Sequence, residues 1–172
     1  MLMIPKNLND LLTLELQDIY SADLQLTQAI PQISESTTSQ ALKEELTKHL
    51  SETRQQITKL EKISRDLNID PEGKHCIGME GIIEEVVELL QEIPRGIVLD
   101  TAITAVLQKA EHYKIAGFKT AAEFASTLGH HKLHEKLLET LDEELAADHM
   151  LTHISETHLN LKALSPKKNY AY

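Results

Sequence analysis

Apolar residues recur at steps of three and four along most of the chain, the pattern of helices that bury one face. From about Asn7 to Ile33 the series Leu8, Leu12, Leu16, Ile19, Leu26 and Ile30 predicts a first helix. The polar stretch Ser34 to Ser39 ends it and offers a serine or threonine cap for a second helix. That helix runs from about Gln40 to Leu67 on Leu42, Leu46, Leu50, Ile57, Leu60 and Ile63. Asn68 to Lys74, with Pro71 and Gly73, reads as a loop. A shorter helix over about Met79 to Gln91 carries Ile82, Ile83, Val86, Val87, Leu89 and Leu90, and stops before Pro94 and Gly96. A third long helix from about Ile97 to Leu128, ended by Gly129, and a fourth from about His131 to Leu161 complete the pattern.

Four long helices of similar length are the parts of a bundle. The first and second, and the third and fourth, are joined by short connections and form antiparallel hairpins. The link between the hairpins is long enough to travel the length of the bundle. The expected fold is therefore all-α: a ferritin-like four-helix bundle of two antiparallel hairpins, with a long crossover containing a short fifth helix. Residues 1–164 form the helical domain and 165–172 a polar, mobile tail with Pro166.

Composition narrows the classes of partner. Among 172 residues there are 6 Gly, 5 Pro and no Trp, aromatics make up 3%, and the formal charge is −10. With few aromatic rings and few bases, no nucleic-acid partner is expected. No apolar run reaches membrane-spanning length, so no membrane partner is expected either. The start of the chain lacks the charged and apolar regions of a secretory signal, and a cytoplasmic protein is expected. The single Cys76 excludes an internal disulfide and a cysteine-rich metal site. Flanked by Lys74 and His75, it reads either as a thiol of lowered pKa or as a packed one. His130, His131 and His134, and the pair His149 and His153, have spacings that can hold zinc but lie in polar surroundings, so they read as surface histidines.

The informative residues are acids on apolar seams, because an unpaired buried carboxylate costs several kcal/mol. The fourth helix places Glu144 and Asp148 on the stripe Leu137, Leu141, Leu151. The third carries Glu111 and Lys114 between Leu107 and Phe118. The second has His49, Glu52, Thr53 and Gln56 between Leu46 and Leu60, and the first supplies Asp18 and Asp23. Asp18 precedes Glu52 by 34 residues and Glu111 precedes Glu144 by 33, so the two halves repeat one pattern. Four carboxylates converging at mid-bundle repel unless cations neutralise them, and oxygen-rich sites of that kind suit iron or manganese. The alternative is a metal-free, dimeric helical bundle acting as a structural or interaction protein, its acids lying on helix flanks paired with Lys or Arg.

The segments Leu16 to Asp23, His49 to Thr53, Cys76 to Gly81, Glu111 to Tyr113 and Leu141 to Glu144 together resemble the YciE/YciF family of bacterial stress-response proteins. The resemblance implies a ferritin-like, rubrerythrin-related domain, a homodimer, with a centre of two iron ions or, alternatively, manganese. It implies Asp18 or Asp23, Glu52, Glu111 and Glu144 as metal ligands from the four long helices. Three residues after Glu52 and Glu144, where a histidine is expected, stand Gln55 and Ala147. His49, Gln56 and Asp148 are the substitutes within a turn. Such a centre would take dioxygen or hydrogen peroxide as its small-molecule substrate, as a ferroxidase or peroxide-consuming enzyme, with Tyr20 and Tyr113 beside the ligand positions.

Overall fold

The computed structural model describes residues 4–164; the tail expected at 165–172 lies outside the described residues. Helix α1 spans Leu8–Ser36, with the Asn7 side chain accepting a hydrogen bond from the Asp10 amide. Helix α2 spans Gln40–Leu67, and of the serines and threonines expected to cap it Ser39 is the one that does. It ends at Asn68, whose left-handed backbone (φ 56°, ψ 44°) suits a short polar side chain. Helix α3, Ile77–Glu92, sits inside the crossover and starts two residues earlier than the apolar pattern indicates, because Cys76 caps it. Helix α4 spans Ile97–Thr127, and Gly129, at φ 79°, turns the chain into α5, His131–Ile154. Beyond α5 the expected single helix is interrupted by a π-helical turn over Ser155–Leu159 before a last turn, α6, at Asn160–Ala163.

The long helices form a closed ring in which α1 packs on α2 and α4, and α5 on α4 and α2. Helix α3 lies along α1 and α4. Both hairpins are thus antiparallel, and the crossover carries the chain from the end of α2 back up to the α1–α2 turn. There Asp100, in the first turn of α4 and fully buried, receives hydrogen bonds from the Thr38 amide and hydroxyl and from the Ser39 amide.

The core is divided. One apolar cluster joins Leu26, Ile30, Leu42, Leu46, Met79, Leu99, Ile103 and Leu151; the other joins Leu12, Leu16, Leu60, Ile63, Phe118, Ala121 and Leu137. Between them, at mid-bundle, is a layer of buried polar side chains: Asp23, His49, Thr53, Gln56, Glu111, Lys114 and Glu144. Its level follows from the turns. Asp23 and Thr53 stand 15 residues either side of Thr38, and Lys114 and Glu144 stand 15 either side of Gly129. Fifteen helical residues rise ~22 Å, so each turn sets its pair at the same depth.

Candidate functional site

The middle of the polar layer is the ammonium of Lys114, which is 0% exposed. Its Nζ lies 2.8 Å from Asp23 Oδ1 on α1, 2.9 Å from Glu144 Oε2 on α5 and 2.9 Å from Gln56 Oε1 on α2, to which it donates a hydrogen bond. Gln56 turns its amide nitrogen the other way and donates to Glu144 Oε1 at 2.5 Å. On the far side of Glu144, Glu111 is buried beside His49, whose Nε2 is 3.1 Å from Glu111 Oε1. Side chains from all four long helices therefore converge on one charged group.

Charge decides the protonation of this layer. Lys114 is held protonated, its pKa raised by Asp23, Glu144 and Glu111 against the opposing cost of burial. Burial pushes Asp23 up to about 7, with Lys114 pulling it back and Glu144 adding to the rise. Burial and the charge of Glu144 raise Glu111 well above the usual carboxylate range. His49 is driven down to about 3 by burial and by the positive charge of Lys114, so it is a neutral imidazole. Three acids thus face one ammonium, and burial favours the neutral form of Asp23 and Glu111.

A carboxyl whose pKa is raised on folding stabilises the protein in acid and loses that contribution as pH rises from the unfolded toward the folded value. For Asp23 that window runs from 3.8 to about 7. We therefore expect the stability of wild type relative to Asp23→Asn to fall as pH increases across this window and to level off above it. Urea unfolding of the two proteins at a series of pH values measures this; parallel stability profiles would remove the titration from Asp23.

The seven residues expected as metal ligands separate into two groups. Asp23, His49, Glu111 and Glu144 come together in the layer. Glu52 points away and pairs with Lys48 at 3.3 Å, on the partly exposed flank of α2. The frame of α2 is one residue later than expected, because Thr53 and Gln56, not Glu52 and Gln55, are buried. Asp148 lies at the α4–α5 margin, 3.4 Å from His112 Nε2 and near Gln108. Asp18 belongs to a separate cluster under the crossover, accepting hydrogen bonds from Tyr113 Oη at 2.5 Å and Cys76 Sγ at 3.2 Å and pairing with Lys74 at 2.9 Å. Cys76 is fully buried there and its pKa is raised by burial, so it is a packed thiol. The Tyr113 and Tyr20 hydroxyls both have partners, Asp18 for the first and Glu61, at 3.4 Å, for the second.

Two metal ions do not fit these residues with Lys114 in place. Its ammonium stands where a cation would contact Asp23, Gln56 and Glu144, and of the expected carboxylate ligands Asp18, Glu52 and Asp148 face elsewhere. No group of three or more His, Cys, Asp or Glu side chains that could hold a metal is found among the described residues. Sequence reasoning placed Lys114 on the seam of α4 but gave it no role. Its signal was available, since a lysine 15 residues before the α4–α5 turn shares the level of Glu144 on an apolar stripe.

The fold and this layer define a ferritin-like helical bundle with a buried acid–ammonium centre. The chain belongs to the family described as a domain of unknown function, DUF892, which matches residues 7–164. It is 36% identical over 159 residues to protein YciF of Escherichia coli, covering 92% of this chain and 96% of that protein. The crystal structure of the E. coli stress protein YciF matches with a TM-score of 0.85 at 34% identity, over 95% of this chain and all of that one. YcfI of Rhodopseudomonas palustris, named only as a candidate structural protein, matches with a TM-score of 0.82 at 39% identity, over 86% of this chain and 94% of that one. Among the described residues no helix is long and apolar enough to cross a membrane.

Proposed function

We propose that this protein is a non-enzymatic, structural member of the YciF-like stress proteins, in which a lysine and protons, rather than two iron or manganese ions, neutralise the mid-bundle acids. One observation carries the reading: Lys114 Nζ, fully buried, is within 2.9 Å of oxygens from Asp23, Gln56 and Glu144. A buried ammonium with three oxygen partners on three other helices does electrostatically what a bound cation would do, but it cannot change oxidation state. It ties α1, α2 and α5 to α4 without redox chemistry. The description of the R. palustris neighbour as a candidate structural protein points the same way. The homodimer implied by the family resemblance and the cytoplasmic setting expected from the sequence belong to this reading.

The test is aerobic ferrous loading, with metal analysis of protein purified without chelators. Far less than one iron or manganese per chain is expected, with no oxo-ferric absorption and no consumption of dioxygen or hydrogen peroxide above the buffer rate. Two irons per chain with oxygen uptake would favour the ferroxidase instead.

A further inference from the structure

We infer that the groove between α1 and α3 is a docking site for a basic amphipathic helix of another protein, with leucine-like anchors on one face and lysine or arginine beside them. A docking role adds a partner to the structural reading and does not depend on how the mid-bundle acids are neutralised. Helix α3 has more apolar residues than it buries. It carries Ile77, Ile82, Ile83, Val87, Leu89 and Leu90, yet only Met79 and Val86 among its residues are buried. Val87 is 40% exposed. Between α3 and α1 runs an open groove of about 430 Å3, with Ala29 and Ile33 of α1 and Ile83, Val86, Val87 and Leu90 of α3 as its floor. Ala29 and Ile33 are four residues apart, and Ile83, Val87 and Leu90 are four and three apart, so an apolar ridge follows each helix.

Two features decide what covers this floor. The backbone N–H and C=O groups inside α1 and α3 are paired within their own helices, so an extended peptide finds no strand edge to join. A helix brings its own backbone bonds and needs only side-chain contacts. The walls then set its charge. The α1 wall is uncharged, with Gln25, Gln28 and Gln32, whereas the α3 wall carries Glu80 and Glu84, and no lysine or arginine lines the groove. Glu88 continues the acidic stripe one turn further on. Glu80 pairs with His75 at 3.1 Å, while Glu84 and Glu88 have no basic partner among the described residues. Acids beside an apolar floor favour an occupant with lysine or arginine along the edge of its apolar face, and they oppose a second copy that meets the groove with its own acids. Glu80 to Leu90 spans about 15 Å of helix, room for a segment of about three turns.

The probe is a capped peptide of about 14 residues, made of leucine and lysine in helical period, with a counterpart in which glutamate replaces lysine. Calorimetry measures binding to wild type, Val87→Asp, the pair Glu84→Lys with Glu88→Lys, and a control pair of exposed acids on α5, Glu135→Lys with Glu139→Lys. Circular dichroism first checks that each variant is helical. We expect saturable one-to-one binding of the lysine peptide to wild type, roughly 20-fold tighter than the glutamate peptide, and a loss of roughly 10-fold in each groove variant. The control pair changes net charge by the same amount and is expected to alter binding less than about threefold. Val87→Asp adds an acid, so general attraction between a cationic peptide and an acidic protein would strengthen binding there. Equal losses in the groove pair and the control pair, or no saturable binding to wild type, overturn the inference. A wild type that sediments as a dimer beside a monomeric Val87→Asp also overturns it, because a second copy then closes the groove.

Discussion

Replacing Lys114 by alanine is expected to lower stability in metal-free buffer by about 3–5 kcal/mol, which in a chain of this length lowers Tm by roughly 10 °C. The size follows from what remains behind. Asp23 and Glu144 lose the ammonium that each contacts within 2.9 Å, Gln56 Oε1 loses its donor, and all three are inaccessible to water. The acids must then take up protons or hold charge in an apolar surround, and both are costly. The exposed pair Lys59–Glu143, only 2.7 Å long, provides the contrast. Its removal is expected to cost no more than about 1 kcal/mol, because water and salt already screen it. Urea unfolding near neutral pH separates the two. A loss at Lys114 as small as that at Lys59 would mean that the buried ammonium does not hold the layer together.

The second large effect is expected at Asp100. Its carboxylate accepts from the Thr38 amide at 2.9 Å, the Thr38 hydroxyl at 2.6 Å and the Ser39 amide at 2.7 Å. These groups belong to the turn between α1 and α2 and to the start of α2, so one acid on α4 joins the top of the first hairpin to the second. An acid in the first turn of α4 also faces the positive end of that helix. Asp100→Ala leaves two amides and a hydroxyl without this acceptor, and it is expected to cost about 2–3 kcal/mol. Asp100→Asn, which keeps one acceptor oxygen, is expected to lose about half as much. Thermal unfolding of the two variants checks the order; equal losses would show that the acceptor is not the cause.

The fold was legible from the chain because it depends on patterns that are local. The steps of Leu and Ile gave the four long helices, Ser39 and Gly129 marked their ends, and the length between the hairpins required a crossover. The site was legible only in part. Asp23, His49, Glu111 and Glu144 were identifiable as acids or histidine on apolar seams, and they meet in the layer. Glu52 was not separable from Thr53 by pattern alone: the two differ by 100° around α2, and both neighbour apolar positions. Asp18 and Asp148 lie close to the seam but are satisfied by Lys74, Tyr113, Cys76 and His112, partners that come from the crossover or from α4. Those contacts depend on how the crossover lies, which no helical period encodes. The role of Lys114, though the residue was placed on the seam, was missed for a different reason. On a seam of acids a lysine reads as an interruption, whereas in three dimensions its chain reaches inward and supplies the counter-charge that the acids require.

Crystals soaked aerobically and anaerobically with Fe2+ or Mn2+, with diffraction recorded at the metal absorption edge, give the most direct test. The expected map shows no anomalous peak in the mid-bundle layer and density for Lys114 extending to contact Asp23, Gln56 and Glu144. A pair of anomalous peaks between Glu111 and Glu144, with the Lys114 side chain displaced, would contradict the account.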